Sequence, residues 1–292
     1  MIHYLKRYQI DVVKYNTCVE LATNSRIYAY SWYLDIVADN WDVLILDDYK
    51  AVMPLPWRSK YFIKYIYPPT WTQQLGVFSE KEISQQLISN FIKEIPKKFK
   101  KVTIQFNSDN DLSLLKATER VNYILPLNKS INSIEKSYKS NRKYSVNKAK
   151  KNNLIIKSCT FKSLASIGKL DYSYLDIPNS DYSKLKLIVD LIEKKNKGFV
   201  LGIYSKDNIL LGGAVFLKDN KRISYLFSVT SFEGKKLQAT SFLINEVFER
   251  FQNSLYIFDF EGSVIPGIAS FFKSFGAEAE RYFLYQKPFQ LF

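Results

Sequence analysis

GFVLGIYS (198–205), ILLGGAVFL (209–217) and RISYLFSV (222–229) follow one another with little between them but Asp207-Asn208 and Asp219-Asn220. Each run is rich in apolar, β-branched and aromatic residues. Asp and Asn form turns readily, so the stretch predicts three strands joined by hairpins. A largely polar loop, Thr230 to Lys236, comes next. Leu237 to Phe251 then sets Phe242, Leu243, Val247, Phe248 and Phe251 at helical spacing. LYIFDF (255–260) reads as a buried strand. Ser263 is placed to cap a further helix, with Pro266 in its first turn, Gly276 beyond its end, and Ile268, Phe271, Phe272 and Phe275 on its buried side. Tyr282 to Tyr285 predicts a last strand.

The N-terminal half repeats this order. DVLIL (42–46), KAVMPLPW (50–57) and FIKYIY (62–67) predict three strands with turns at Asp47-Asp48 and Arg58-Ser59. A loop (Pro68 to Ser79), a helix (Lys81 to Ile95) and a strand, KVTIQF (101–106), follow. Repetition of order and spacing predicts two similar α/β units with mixed sheets, 1–125 and 126–292. In each, hairpin strands run antiparallel and the strand–helix–strand portion runs parallel. Pro54 and Pro56 predict an edge or bulged strand, because neither can donate to a ladder. Ile131 to Asn153 carries a broken helical stripe crowded with basic residues, and Asp181 to Lys197 an amphipathic helix.

With 292 residues, 47% of them hydrophobic, the chain can build two modest cores. The 21 Tyr and 21 Phe are expected mostly in those cores. No apolar run reaches the roughly 18 residues of a membrane span, and the first residues lack a signal-peptide core, so a cytoplasmic protein is expected. Cys18 and Cys159 have neither metal spacing nor a disulfide framework. The only histidine is His3, near an end expected to fray, which argues against Ser-His-Asp, Cys-His and His-based metal chemistry; no metal is expected. Net charge is +14. Residues 1–125 carry 16 basic and 13 acidic side chains, residues 126–292 carry 26 and 15. The second half is therefore the expected seat of an anionic, phosphate-bearing ligand.

Two stretches carry a resemblance. Asn141-Arg142-Lys143, continuing to Lys148-Ala149-Lys150-Lys151, resembles the basic helix of the Fem-type (FemAB-like) acyl- and aminoacyltransferases of the GNAT superfamily. Asp259-Phe260-Glu261-Gly262, then Gly267-Ile268 and Phe271-Phe272-Lys273-Ser274-Phe275-Gly276-Ala277, is similar to that group's C-terminal signature. The resemblance implies two tandem GNAT-like (acyl-CoA N-acyltransferase) domains. It also implies transfer of an acyl or aminoacyl group from acyl-CoA or aminoacyl-tRNA to an amine acceptor, cell-wall precursors among them, and so tRNA as a partner. A standard acetyl-CoA loop reads Q/R-x-x-G-x-G/A. Here Gly234-Lys235-Lys236-Leu237-Gln238-Ala239-Thr240 keeps a glycine, two lysines and small residues without that spacing.

Asp259 and Glu261 stand two apart on an expected strand, hence on one face, where two carboxylates raise one another's pKa and make a general base. The alternative is structural: one caps the next helix and the other pairs with a lysine. The donor site is expected from Tyr225 and Ser228 on the splayed strand, from Gly234, Lys235, Lys236 and Gln238, and from Arg142 and Lys143. Arg142, Lys235 and Lys236 are expected to face one cleft. Tyr67, Trp71, Gln73 and Gln74, in an uncharged loop, suit a sugar or peptide acceptor. The competing reading is a non-catalytic nucleic-acid-binding or interaction protein on a degenerate GNAT fold, marked by steep salt dependence.

Overall fold

The computed structural model describes residues 1–171, 178–262 and 265–289, so the expected cap at Ser263 lies outside the described residues. The chain forms two compact units, 1–121 with the segment from Glu280, and 122–279. The first contains β1 (Ile2–Lys6), α1 (Val12–Leu21), α2 (Ser31–Val37), β2 (Asn40–Leu46), β3 (Ala51–Lys60), β4 (Ile63–Ile66), β5 (Phe78–Ser79), α3 (Gln85–Lys93) and β6 (Phe99–Phe106). Met53, Leu55, Val102 and Phe106 pack against Ile88 and Phe91 of α3, whose first turn is capped by Ser84 Oγ accepting from Leu87 N–H at 3.2 Å.

From β7 (Ala117–Pro126) the chain enters the second unit, through α4 (Ile131–Lys136), α5 (Ser140–Lys151), β8 (Ile155–Ser158), α6 (Phe161–Asp171), α7 (Asn179–Lys194), β9 (Gly198–Tyr204), β10 (Leu210–Lys218), β11 (Arg222–Thr230), α8 (Phe232–Lys236), α9 (Ala239–Phe251), β12 (Ile257–Asp259) and α10 (Pro266–Lys273). Its core joins aliphatic side chains to a group of rings, of which Phe216, Phe248, Phe258, Phe260 and Phe275 are fully buried. The last strand, β13 (Glu278–Lys287), pairs Phe283–Lys287 with Val102–Phe106 of β6.

The strand orders are β1-β2-β3-β4-β6-β13 in the first unit and β8-β9-β10-β11-β12-β7 in the second. Both run antiparallel apart from one parallel pair, β4 with β6 and β11 with β12. The repeated order therefore appears as a repeated topology, with one exchange. β7 follows β6 in sequence but pairs Ile124–Pro126 with β12, whereas β13 follows β12 and pairs with β6. The sequence division gave the whole C-terminus to the second half. The structure gives the segment from Glu280 to the first, because strand partners are chosen by non-local packing that local pattern does not encode.

Three local expectations are corrected. Arg58-Ser59 lies within β3, and the turn falls at Tyr61-Phe62 instead. His3 is held in β1 opposite Ile45 rather than in a frayed end. β3 is interior: β2 lies along its length on one side. On the other side β5 pairs only with Ala51–Val52 and β4 only with Trp57–Lys60. Pro54 and Pro56 fall between those two pairings, where no ladder bond needs their missing N–H.

If β13 completes the first sheet, a chain ended after Ala279 leaves β6 with an open edge. Hydrogen exchange should then quicken at Val102–Phe106, while β9 and β10 stay protected. Unchanged protection of β6 would show that β13 adds nothing to that unit.

Candidate functional site

Parallel pairing of β11 with β12 lasts three rungs, Arg222–Ser224 against Ile257–Asp259. β12 ends there, and β11 runs on to Thr230. At the same point β11 bulges against β10: Phe216 pairs with Tyr225 and Val215 with Phe227, leaving Leu226 as the extra residue. A bulge bends its strand and re-aims the backbone beside it. Tyr225 packs its ring against Phe216 at 5.6 Å and Phe258 at 6.3 Å, as part of the core. Ser228 is half-buried, opposite Ala214.

The loop after β11 is wound into the single turn of α8. Gly234 N–H donates to Ser231 Oγ at 3.1 Å. Lys235, Leu237 and Gln238 N–H donate to Ser231, Glu233 and Lys235 carbonyls. These groups are therefore committed within the turn rather than arrayed around a phosphate. Gly234 is a packing glycine: a Cβ would sit 2.6 Å from the Leu211 carbonyl oxygen. Lys235 and Lys236 are exposed, and Lys236 reaches Glu233 at 3.3 Å. Gln238 turns the chain into α9 with φ of 61°.

Arg142 is not with them. It is buried, its guanidinium 4.2 Å from the Phe271 ring centroid and 4.5 Å from that of Phe275. It donates from Nε to Ser274 Oγ at 2.9 Å and from a terminal nitrogen to Ser241 Oγ. Burial pulls this guanidinium down to about 10, against a smaller opposing effect of Tyr138. The two stretches that carried the resemblance are thus halves of one contact. Phe271, Ser274 and Phe275 form the seat, and Gly276 (φ 78°) leaves room for Ser137, whose Oγ would lie 2.3 Å from a Cβ there. Lys143 reaches the Lys136 carbonyl at 3.1 Å and borders an open cavity of about 450 Å³ with Asn132, Glu135 and Asn147.

Asp259 is buried at the end of β12 and paired with Arg222, Nη1 to Oδ2 at 2.8 Å. Its other oxygen accepts from Asn122 Nδ2 and from Glu261 N–H, each at 2.9 Å. Glu261 has left the strand, with φ of 51°. The alternation that would place both carboxylates on one face stops before it. Asp259 is ion-paired, with arginine rather than the lysine of the structural alternative, and α10 has Ile265 at its N-cap, without a side-chain cap. Arg222 and Asn122 escaped the sequence reading; the available signal was an arginine in a chain of 34 lysines and 8 arginines.

In the first unit, Tyr67 donates to Asp39 Oδ1 at 3.2 Å, with the Arg58 guanidinium 3.6 Å above its ring. Gln74 is buried and accepts from Ser108 N–H at 3.2 Å. It also donates to Gln73 Oε1 at 2.9 Å. Trp71 takes a left-handed φ of 64°, and its carbonyl accepts from Tyr33 OH. Tyr67 and Gln73 meet, with Thr72, at a cavity of only about 10 Å³, room for roughly one water. Trp71 and Gln74 do not line it. Both thiols are free; burial first pushes each up to about 11, which leaves them poor nucleophiles. Among the described residues no three His, Cys, Asp or Glu side chains group as metal ligands, and no helix is long and apolar enough to cross a membrane.

No family model matches the sequence, and no curated protein matches it either. Solved structures do. FemX aligns over 96% of both chains with a TM-score of 0.73 at 12% identity. The chain has a Fem-like, tandem GNAT fold. L-PGS from Bacillus licheniformis aligns over 96% of this chain and 93% of its own at 0.59 and 13% identity. A tandem GNAT protein from the clavulanic acid biosynthesis pathway aligns over 98% of both at 0.55 and 11%. At such identities the likeness speaks for architecture, and the site rests on the geometry above.

Asp259→Asn removes the charge opposite the buried Arg222 guanidinium, and should cost about 3–5 kcal/mol of stability in urea titration. Asp259→Leu combined with Arg222→Met should recover most of that. An Asp259→Asn protein as stable as the parent would overturn the structural assignment. Arg142→Lys keeps a charge but loses the planar stack and fork, so it should lower the unfolding midpoint without altering affinity for phosphate-bearing ligands in the folded fraction.

Proposed function

We propose that this protein is a transferase that moves an acyl or aminoacyl group from an activated donor to an amine. The observation that carries the reading is the parting of β11 from β12 after Ser224, coincident with the bulge at Leu226. An extended donor arm can lie along this stretch as a strand would. Its carbonyl is polarised by main-chain N–H groups near Leu226 and Ser228, fixed before the donor arrives.

The amine nitrogen attacks the carbonyl carbon. A C–N bond forms, the C–S bond of a thioester or the C–O bond of an ester breaks, and the thiol or hydroxyl leaves with the proton that the amine gives up. Asp259 is committed to Arg222, so water carries that proton. Most of the acceleration comes from holding amine and carbonyl together. Lys235 and Lys236 face solvent one turn beyond β11 and supply charge for the donor's phosphates, which acyl-CoA and aminoacyl-tRNA both carry. The acceptor in this reading is an amine-bearing cell-wall precursor, and the donors place the reaction inside the cell; the space between Tyr67 and Gln73, with room for about one water, does not hold it.

Equilibrium titration with acyl-CoA and with aminoacyl-tRNA, followed by transfer to an amine, tests this. One donor should bind. Lys235→Ala with Lys236→Ala should weaken it roughly tenfold or more with the melting temperature unmoved. Ser228→Trp should block transfer in a folded protein. Failure of both donors to bind the parent chain sinks the reading, and steeply salt-dependent affinity for any RNA without transfer would favour a non-catalytic nucleic-acid-binding protein instead.

A further inference from the structure

Lys60 and Ile63 pair across the β3–β4 hairpin, so its turn is the two residues Tyr61 and Phe62, with φ of 50° and 63°. Two-residue hairpin turns with both centres at positive φ favour Asn-Gly, because a bulky side chain crowds its own backbone there. Tyr61 and Phe62 gain no packing in return: they are 82% and 102% exposed, and Ile63 beside them is 37% exposed. Neither local propensity nor the core accounts for two aromatic rings at this tip.

Lysines crowd this end of the unit, although Lys64 and Lys98 also border a pocket with Asp39 and Asp42. β4 and β6 run parallel with Lys64 opposite Phe99, so the hairpin tip and the turn before β6 lie at the same end of the sheet. That turn carries Lys97 and Lys98, with Lys100 and Lys101 just inside β6. Lys60 lies 5.4 Å from the Tyr61 ring centroid and Lys64 4.7 Å from that of Trp57. Lys93, Lys97, Lys100 and Lys287 line an open cavity of about 570 Å³ floored by Ile95 and Phe99, with no carboxylate in its lining.

We propose that this end of the first unit docks on an anionic lipid surface, with Tyr61 and Phe62 seated among the headgroups and the surrounding lysines over their phosphates. Aromatic rings prefer that depth, where one side of the ring is apolar and the other wet. Lysine ammoniums near an anionic bilayer are attracted one by one, without a fixed geometry to satisfy. A convex tip between lysines suits a flat, deformable partner better than a nucleic-acid strand, which needs a groove to follow or rings to stack along. The docking surface belongs wholly to the first unit and does not depend on the donor site of the second.

Flotation with vesicles tests it, using phosphatidylcholine alone and phosphatidylcholine mixed with phosphatidylglycerol. The parent chain should float with the mixed vesicles, less at high salt, and not with phosphatidylcholine alone. Tyr61→Asn with Phe62→Gly supplies the residues this turn favours, so the variant should melt at the same or a higher temperature, yet lose roughly tenfold or more of its partitioning. Lys60→Gln and Lys64→Gln should each cost roughly fivefold. The proposal is overturned if the parent ignores mixed vesicles, or if the Asn-Gly variant partitions as the parent does. Tighter binding to homopolymer RNA than to vesicles, indifferent to the Asn-Gly change, overturns it too.

Discussion

The Arg222–Asp259 ion pair fixes the arrangement on which the second unit depends. It ties the first residue of β11 to the last residue of β12, and through Asn122 it brings in β7 on the far side. The same carboxylate holds the backbone where the chain leaves the sheet at Glu261. A buried pair of this kind is a weak source of net stability but a strong constraint on register, since any slip would leave a charge without its partner. Because the register is held at three rungs, the place where β12 stops is also held, and β11 continues beyond it by itself. The bulge at Leu226 lies two residues past the last shared rung. Backbone geometry at the candidate donor site is thus tied to the register that this ion pair holds.

The two units share this plan but not its outcome. In the first, β4 stops at Ile66 and β6 goes on to Phe106. The chain then fills the gap with its own loop: Leu75 bridges to Phe106, donating its N–H to the Gln105 carbonyl at 2.7 Å and accepting from Asn107 N–H at 2.8 Å. Asn110 Oδ1 accepts from Val77 N–H at 2.7 Å, and Gly76 with φ of 107° permits the bend. What remains beside Tyr67 and Gln73 has room for about one water. Among the described residues no comparable bridge crosses from β12 to the end of β11. A repeated topology has been closed on one side and left parted on the other.

The legible parts of the sequence were those written locally. The three hairpin strands from 198 to 229 and the helix ending at Phe251 fall within a residue or two of their expected places, because alternation and helical spacing are read over a few neighbours. The exchange of β7 and β13 was not legible, since nothing near Tyr282 records that its strand will lie beside Gln105. Arg142 was misplaced for a different reason. Sequence gives the charge of a side chain and not its burial, and only the spacing of Phe271 and Phe275, one helical turn apart, hinted that two rings might face a single partner. Tyr61-Phe62 went unread as a turn because turn signals are Gly, Asn, Asp and Pro, none of which is present. Asp259 was found, as a base or as a structural carboxylate, but its partner Arg222 was not, since a strand-end carboxylate looks the same in sequence whether it meets a substrate or an arginine.

The exchanged strands also bear on how the chain is made. β6 is synthesised about 180 residues before the strand that will lie beside it. At ordinary rates of translation, roughly 5–20 residues per second, the interval is on the order of ten to forty seconds. Throughout it the first sheet presents an unpaired edge. β7 meets a similar delay, since β12 emerges some 130 residues later. Each unit can complete its sheet only after its late strand has been made. A nascent chain in this condition is one that trigger-type chaperones are suited to shield, and one in which a pause late in the message would lengthen the exposure.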